Sequence, residues 1–386
     1  MTARKPEPPQ ESAPDFTFHP FEIACCGHSN SGKTTLISRI VSLLSERYTI
    51  GYYKHGCHRF DIDREGKDSF VVRQSGASAV MVSDPEKNAL ISNGTPNPLL
   101  MQTSLLHVDF LVVEGLKELP LPKLVVVDDD LKIADLLEKK VLTNVVALVA
   151  PDPAAVPETF GVPVFQRDDI NKIADCIINR FLDKASRKPV LGLVLAGGKS
   201  SRMGKDKALL TYHTQNQLIH TAKMLEKQCE QVYISCRTGQ QAAYRKYGFP
   251  LIVDSYPDIG PLAGLLSAQR LFPDASWLVA ACDLPFMDHS LLSELAAKRN
   301  PFSFATAYRQ NTEEKPEPLC AIYEPKSRLP LIMRHAVGNN SLMSFLEDFP
   351  IHYLSVKDPQ SLQNVNEPTE QLQAEKILFA GKRKRT

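Results

Sequence analysis

The octapeptide Gly27-His-Ser-Asn-Ser-Gly32-Lys33-Thr34 constrains this chain more than any other feature. It fits G-x-x-x-x-G-K-[S/T], and both of its flanks suit that pattern. Before it, the apolar run Phe21–Cys26 reads as a buried strand. After it, Leu36, Ile37, Ile40, Val41 and Leu44 place one apolar face on a helix over Thr34–Leu44. A loop at such a junction turns successive backbone N–H groups around phosphate oxygens and aims a helix N-terminus at the anion. Lys33 brings a point charge to the β- and γ-phosphates, and Thr34 a hydroxyl to Mg2+. Gly27, Ser31, Gly32, Lys33, Thr34 and Thr35 are the expected nucleotide contacts.

The rest of the first half alternates in the same way. Strand-like runs occur at Tyr48–Tyr53, Ala79–Val82, Phe110–Val113, Leu124–Val127 and Val145–Ala150, and Ile170–Leu182 closes the half as a helix. Continuous apolar strands between helices indicate a mostly parallel sheet covered on both faces. Glu114 ends one of these strands, where a carboxylate can serve a metal or its water shell beside a phosphate loop. Asp61 and Asp63 are further candidates for the metal side, with a polar loop as the competing reading. His55, Cys57 and His58 are one ligand short of a closed zinc site and read as a surface loop. No N-K-x-D element is present, so the residues alone leave GTP or ATP open.

Asp183–Pro189 is polar and ends in proline, which predicts a connection between domains. Beyond it the pattern restarts, with strands at Val190–Leu195, Gln231–Cys236, Leu251–Val253 and Trp277–Ala281. Helices are expected at Asn216–Gln228, Pro261–Arg270 and His289–Lys298. The predicted fold is therefore α/β with two doubly wound domains, a P-loop domain over 20–183 and a Rossmann-like domain over 190–378, joined by 184–189. The Pro-rich stretch 1–19 reads as a disordered leader and 379–386 as a basic tail.

A second glycine loop follows Val190–Leu195. It runs Leu195-Ala-Gly197-Gly198-Lys199-Ser-Ser-Arg202-Met-Gly-Lys-Asp-Lys207 and carries several cations. Asp254 and Asp283 end two later strands, and Gly260-Pro-Leu-Ala-Gly264 opens a helix. Ligands of open α/β sheets bind at the carboxyl ends of strands. This convergence is what a Mg2+-nucleotide site requires. Asp254 could instead cap a turn, Asp283 could belong to turn chemistry, and Cys282 reads as a small buried residue.

Composition places these charges in context. Lys+Arg number 45 and Asp+Glu 44, a formal net charge of +1, which argues against a bulk nucleic-acid binder or a polybasic membrane protein. Apolar runs fall far below the ~20 residues that span a bilayer. The eight cysteines are scattered without a C-x-x-C pair, so no disulfide framework or zinc ribbon is expected and a cytoplasmic setting is favoured.

The segment LVLAGGKSSRMGKDKALL resembles the signature of the molybdenum cofactor guanylyltransferase family (MobA). IVDSYPDIGPLAGLLSA, LVAACDLPF and NVNEP (Asn364–Pro368) follow in that family's order, so the resemblance covers about 188–375. The first half resembles the molybdopterin-guanine dinucleotide adaptor family (MobB) over about 20–183. There the phosphate loop, KHGCHRFDIDREGKDS, RQSGA and VVEGLK match. The chain thus resembles a fusion of the two.

The resemblance implies roles for residues. Leu195, Ala196, Gly197, Gly198 and Lys199 would contact the nucleotide, Lys207 its phosphates and Asp254 the guanosine. Asp283 would hold Mg2+ and phosphates. Arg202, Lys207 and Asp283 would form the catalytic set. Ser235 stands where the family often carries asparagine, and Asn364 and Asn366 would lie near the pterin. In the adaptor half the resemblance implies GTP binding with feeble hydrolysis, a metal held by Thr34 and Glu114, and assistance to the transferase. The implied ligands are GTP, Mg2+ and molybdenum-molybdopterin. The implied partners are a molybdenum insertion protein, apo-molybdoenzymes or their chaperones, and a second copy of the first half, with no nucleic acid and no membrane.

The expected reaction is GMP transfer from GTP to the terminal phosphate of molybdopterin. Such a phosphate has a second pKa of about 6 and needs no general base. Rival readings are a cytidylyltransferase or sugar-phosphate enzyme on the same scaffold, a GTP-dependent delivery protein without transferase activity, and a kinase in the first half.

Overall fold

The computed structural model describes residues 16–55, 62–95, 97–128, 132–139, 141–197, 207–213, 215–309 and 314–383. Two compact units divide between Ile177 and Ile178. The first contains β1 (Glu22–Cys26), α1 (Lys33–Leu44), β2 (Ile50–Lys54), α2 (Asp68–Gln74), β3 (Ala79–Ser83), β4 (Asn88–Ser92) and α3 (Pro98–Leu105). It continues with β5 (Phe110–Glu114), β6 (Lys123–Val126), α4 (Ala134–Glu138), β7 (Val145–Ala150), β8 (Val164–Gln166) and the first half of α5 (Ile170–Ser186).

Six of these strands form a parallel sheet in the order β2-β5-β1-β6-β7-β8. Every residue of β1, β5 and β6 is buried, as strands covered on both faces require. Leu36, Ile37, Ile40 and Leu44 form the buried face of α1. Lys123 is fully buried at the start of β6, where burial lowers its pKa, and its Nζ donates to the carbonyls of Leu119, Leu121 and Thr143 at 2.5, 3.0 and 2.9 Å.

Three expectations change. Ala79–Ser83 does not join the main sheet; it pairs antiparallel with Asn88–Ser92 as a separate hairpin. Asp84 Oδ1 accepts the N–H groups of Glu86 and Lys87, a turn that returns the chain onto β3. The end of the expected leader is structured. The backbone N–H groups of Thr17, Phe18 and His19 converge on the buried Glu22 carboxylate, and His19 is itself buried. The expected connection at Asp183–Pro189 is largely helix, because α5 runs through Ser186. The remainder of the leader and the end of the tail lie outside the described residues.

The second unit contains β9 (Val190–Leu195), α6 (Gln217–Leu225), β10 (Gln231–Cys236), α7 (Gln241–Tyr244), β11 (Leu251–Val253), α8 (Pro261–Leu271), β12 (Ser276–Ala281) and α9 (His289–Ala297). After these come β13 (Ala305–Tyr308), β14 (Glu317–Tyr323), α10 (Arg328–Ala336), α11 (Leu342–Asp348), β15 (His352–Leu354) and α12 (Pro368–Arg383). The sheet order is β11-β10-β9-β12-β14-β13-β15. β9 to β12 are parallel, whereas β14 is inserted antiparallel to both β12 and β13. The chain runs outward from β9 through β10 and β11, then crosses to β12 on the other side. That reversal opens a crevice at the carboxyl ends of β9 and β12, the position where such sheets bind ligands. No helix among the described residues is long and apolar enough to cross a membrane.

Candidate functional site

In the second unit the crevice is a cavity of about 760 Å³. Leu195, Ala196 and Gly197 enter it from β9, Ser235 and Arg237 from β10, Asp254 from β11 and Asp283 from β12. Lys207 and Asn366 close its other side. The structure thus brings together Leu195, Ala196, Gly197, Lys207, Ser235, Asp254, Asp283 and Asn366. Gly198, Lys199 and Arg202 lie outside the described residues.

The floor is built by close approach. Ser235 Oγ donates to Asp254 Oδ1 at 2.7 Å. A Cβ at Gly197 would stand 2.6 Å from Asp254 Oδ2, so only glycine lets the backbone pass over this carboxylate. Burial raises the Asp254 pKa above the usual carboxylate value, opposed by the Ser235 hydrogen bond and the charge of Arg237. Its carboxylate serves Ser235 and the cavity rather than a helix cap. Gln240 Nε2 donates to the Ala196 carbonyl at 3.2 Å and steadies the loop from outside.

The opposite wall carries the charge. Lys207 Nζ donates to Asn366 Oδ1 at 2.8 Å, and the N–H of Val365 to the Asp283 carbonyl at 2.8 Å. Glu370 Oε2 accepts the Asn366 N–H at 2.6 Å, fixing the turn before α12. Asp283 Oδ1 is buried and has no hydrogen-bond partner. Burial lifts the Asp283 pKa, with Lys207 opposing. An orphaned carboxylate oxygen beside a cationic lysine and a carboxamide oxygen fits a Mg2+ ion, which binds through one or two carboxylates plus substrate phosphates.

Glu317, at the start of β14, was not among the expected site residues. Burial pushes its carboxyl up to about 7; the Leu319 N–H opposes this, Asp283 adds to it, and a hydrogen bond with Asn364 opposes it. Glu317 stands two residues before Leu319, which lines the cavity. No motif marks it, because β14 reaches this wall only through its antiparallel pairing with β12. Arg237 could have been found, since it directly follows the end of an expected strand. Cys282 is buried, as expected.

In the first unit Gly32 caps α1 with φ 86°, a backbone conformation that favours glycine. Lys33 Nζ donates to the His28 carbonyl at 2.5 Å, across the loop. Thr34 Oγ1 donates to Glu114 Oε2 at 3.1 Å, Tyr52 OH to the same oxygen at 2.7 Å, and Lys54 Nζ lies 3.3 Å from Oε1. Burial pushes the Glu114 carboxyl up, but the bonds from Tyr52, Lys54 and Thr34 outweigh it and hold the group below its ordinary value. The Thr34 hydroxyl and the Glu114 carboxylate are hard oxygen donors of the kind that Mg2+ would take. Gly27 and Ser31 lie in this loop and Thr35 on α1. Asp63 turns to Ser69 Oγ at 2.8 Å and to the N–H of Arg64. Asp61, Cys57 and His58 lie outside the described residues, and no cluster of three or more metal-ligating side chains occurs among those described.

Two family models match this chain: "MobA-like NTP transferase domain" over 192–355 and "Molybdopterin guanine dinucleotide synthesis protein B" over 23–151. A probable molybdenum cofactor guanylyltransferase of Clostridium perfringens is 32% identical over 184 residues, covering 45% of this chain and 89% of that protein. The chain belongs to the molybdenum cofactor guanylyltransferase family. Its second unit carries the MobA-like nucleotidyltransferase domain, and a MobB domain precedes it. A molybdenum cofactor biosynthesis bifunctional protein of Synechocystis is 33% identical over 183 residues, 47% of this chain; the match spans 53% of that relative. Among solved structures, molybdopterin-guanine dinucleotide biosynthesis protein A of Archaeoglobus fulgidus covers 49% of this chain and 99% of its own at 25% identity and TM-score 0.41. Bacillus subtilis MobB covers 41% and 96% at 28% identity and TM-score 0.35.

Proposed function

We propose that the second unit transfers GMP from GTP to the terminal phosphate of molybdenum-molybdopterin, releasing pyrophosphate and forming the guanine dinucleotide cofactor. The observation that carries this reading is the orphaned Asp283 carboxylate, facing the same cavity as Lys207, Asn366 and the Gly197–Asp254 floor. A phosphate oxygen of molybdopterin attacks the α-phosphorus of GTP in line; the bond to the β-phosphate oxygen breaks and pyrophosphate leaves. The acceptor phosphate is largely ionised near neutrality, since its second pKa is about 6. No proton need be removed, in keeping with a described cavity lining that contains no histidine.

The chemical difficulty is bringing two polyanions together. Lys207, held by Asn366, neutralises phosphate charge, and Lys199 and Arg202 supply further cations. Asp283, with Asn366 beside it, would hold Mg2+, which supplies charge neutralisation and orients the phosphates. Asp254, Ser235 and the Leu195–Gly197 backbone receive the guanosine end, and Asn364 and Asn366 border the pterin substrate.

The first unit binds GTP through Gly27, Ser31, Gly32, Lys33, Thr34 and Thr35, with Thr34 and Glu114 on the metal side. It hydrolyses GTP feebly and assists the transferase in delivering cofactor to apo-molybdoenzymes in the cytoplasm. Exposed Val71, Val72, Met81, Val82, Leu90 and Leu99 on α2, β3, β4 and α3 support pairing of two copies through this unit.

Pyrophosphate release with molybdopterin and each nucleoside triphosphate, with and without Mg2+, tests the central claim. GTP with Mg2+ should be strongly preferred. A preference for CTP, or GTP binding without pyrophosphate release, would reject it.

A further inference from the structure

Arg167 follows β8 directly, outside the residues matched by the MobB model. Its N–H donates to the Ala150 carbonyl at 2.9 Å, which anchors the residue at the carboxyl end of β7. Its side chain then crosses the ends of β7 and β6. Nη2 donates to the Val127 carbonyl at 3.2 Å, and Nη1 would lie 3.7 Å from a Cβ at Gly32. A guanidinium from the third strand out thus lies against the phosphate loop.

Its surroundings do not satisfy it. Nε is buried without a hydrogen-bond partner, and no carboxylate among the described residues pairs with the group. A neighbouring atom shares the condition. Ser31 Oγ is buried without a hydrogen-bond partner, while His28 Nε2 and Asp128 Oδ2 face each other as an ion-pair contact at 3.9 Å. Buried polar atoms cost free energy unless bonded, and Arg167 Nε and Ser31 Oγ, two buried donors beside one loop, point to an acceptor-rich ligand that completes them.

The sheet order fixes which part of that ligand Arg167 meets. β5 and β6 flank β1 on opposite sides. Thr34 and Glu114 occupy the β5 side, where the metal and terminal phosphate belong. Arg167 approaches from the β6–β8 side against Gly32, where loop N–H groups cradle the α- and β-phosphates. We propose that Arg167 is a phosphate-binding residue of the first site, gripping the α- or β-phosphate that GTP and GDP share, on the side of the loop away from Glu114. The planar fork of arginine suits phosphate oxygens, and binding would supply the anion that the guanidinium lacks. This inference rests on the phosphate-loop reading of Gly27–Thr34.

Amide hydrogen exchange of the full chain, titrated separately with GTP and GDP, tests it. Protection of segment 27–36 reports the first site independently of the second. In Arg167→Ala the half-saturating concentration of both nucleotides should rise about tenfold or more. Arg167→Lys should fall between that variant and the wild type. Without nucleotide Arg167→Ala should melt only slightly below the wild type, since it loses one bond to the Val127 carbonyl. Loss confined to GTP would move the contact to the γ-phosphate and overturn the proposal. Unchanged affinities, or a lower melting temperature with affinity unchanged, would also overturn it. Lys33→Ala separates the two claims. If it abolishes protection while Arg167→Ala changes nothing, only the arginine assignment fails; if it too changes nothing, the phosphate-loop reading fails and the proposal with it.

Discussion

Asp283 and Lys207 show how much one side chain can carry. Each was marked by its place at the edge of a glycine loop or a strand, and the fold adds that Lys207 is locked by Asn366 while Asp283 Oδ1 has no partner. Losing one electrostatic contact of this kind costs about 3–4 kcal/mol in the transition state. Asp283→Ala and Lys207→Ala should each lower guanylyl transfer by about 100-fold or more, with an unchanged circular dichroism spectrum. Near wild-type turnover in either variant would contradict the assignment. Glu317 sets a pH dependence. Burial raises its carboxyl from 4.5 to about 7, so the folded chain keeps a proton that the unfolded chain has released. Its stabilising contribution is complete below 4.5 and is lost as the pH rises through about 7. Melting temperatures measured across that window should fall more steeply for the wild type than for Glu317→Gln.

At the scale of elements, most parallel strands were legible, whereas the antiparallel insertion and the strands beyond it were not. Val145–Ala150, Val190–Leu195, Gln231–Cys236 and Leu251–Val253 have the predicted bounds, because strands of a covered parallel sheet read as unbroken apolar runs. The same cue misplaced Ala79–Ser83, since an apolar run does not say which strand will pair with it. It also missed β13, β14 and β15. β14 matters most, because its antiparallel course brings Glu317 to the site and Glu324 to the far end of the sheet. There Arg299 makes two bonds to Glu324, at 2.7 and 2.8 Å, and Ser276 Oγ adds a third at 2.8 Å. Glu324 is 1% exposed, so Arg299→Ala would leave a buried carboxylate without its cation. That change should destabilise the second unit by about 3–5 kcal/mol, readable as a lower urea midpoint. A midpoint equal to the wild type would show that the pair contributes nothing.

At the scale of the whole molecule, a net charge of +1 conceals local clusters of lysine and arginine at both glycine loops, with acids nearby. On the function proposed above, the ligands of both sites are small nucleotides. Joining the two units in one chain should matter most at low concentration, because covalent connection makes their encounter intramolecular. Halves expressed separately and mixed at about nanomolar concentration should activate an apo-molybdoenzyme more slowly than the intact chain. The difference should vanish as the halves are concentrated. Equal rates at every dilution would make the tether irrelevant.

The sequence by itself determined both glycine loops, their flanking strands and helices, and the aspartates at strand ends. Each of these is local, written within a dozen residues by backbone freedom, charge and apolar period. Only the tertiary structure decided which ends become neighbours. It joined Lys207 to Asn366 across a separation of 159 residues, carried Glu317 beside Asp283's wall, and laid Arg167 against Gly32. Those contacts depend on strand order and on one antiparallel insertion. Both are set by how whole elements bury their faces against one another, which no local pattern records.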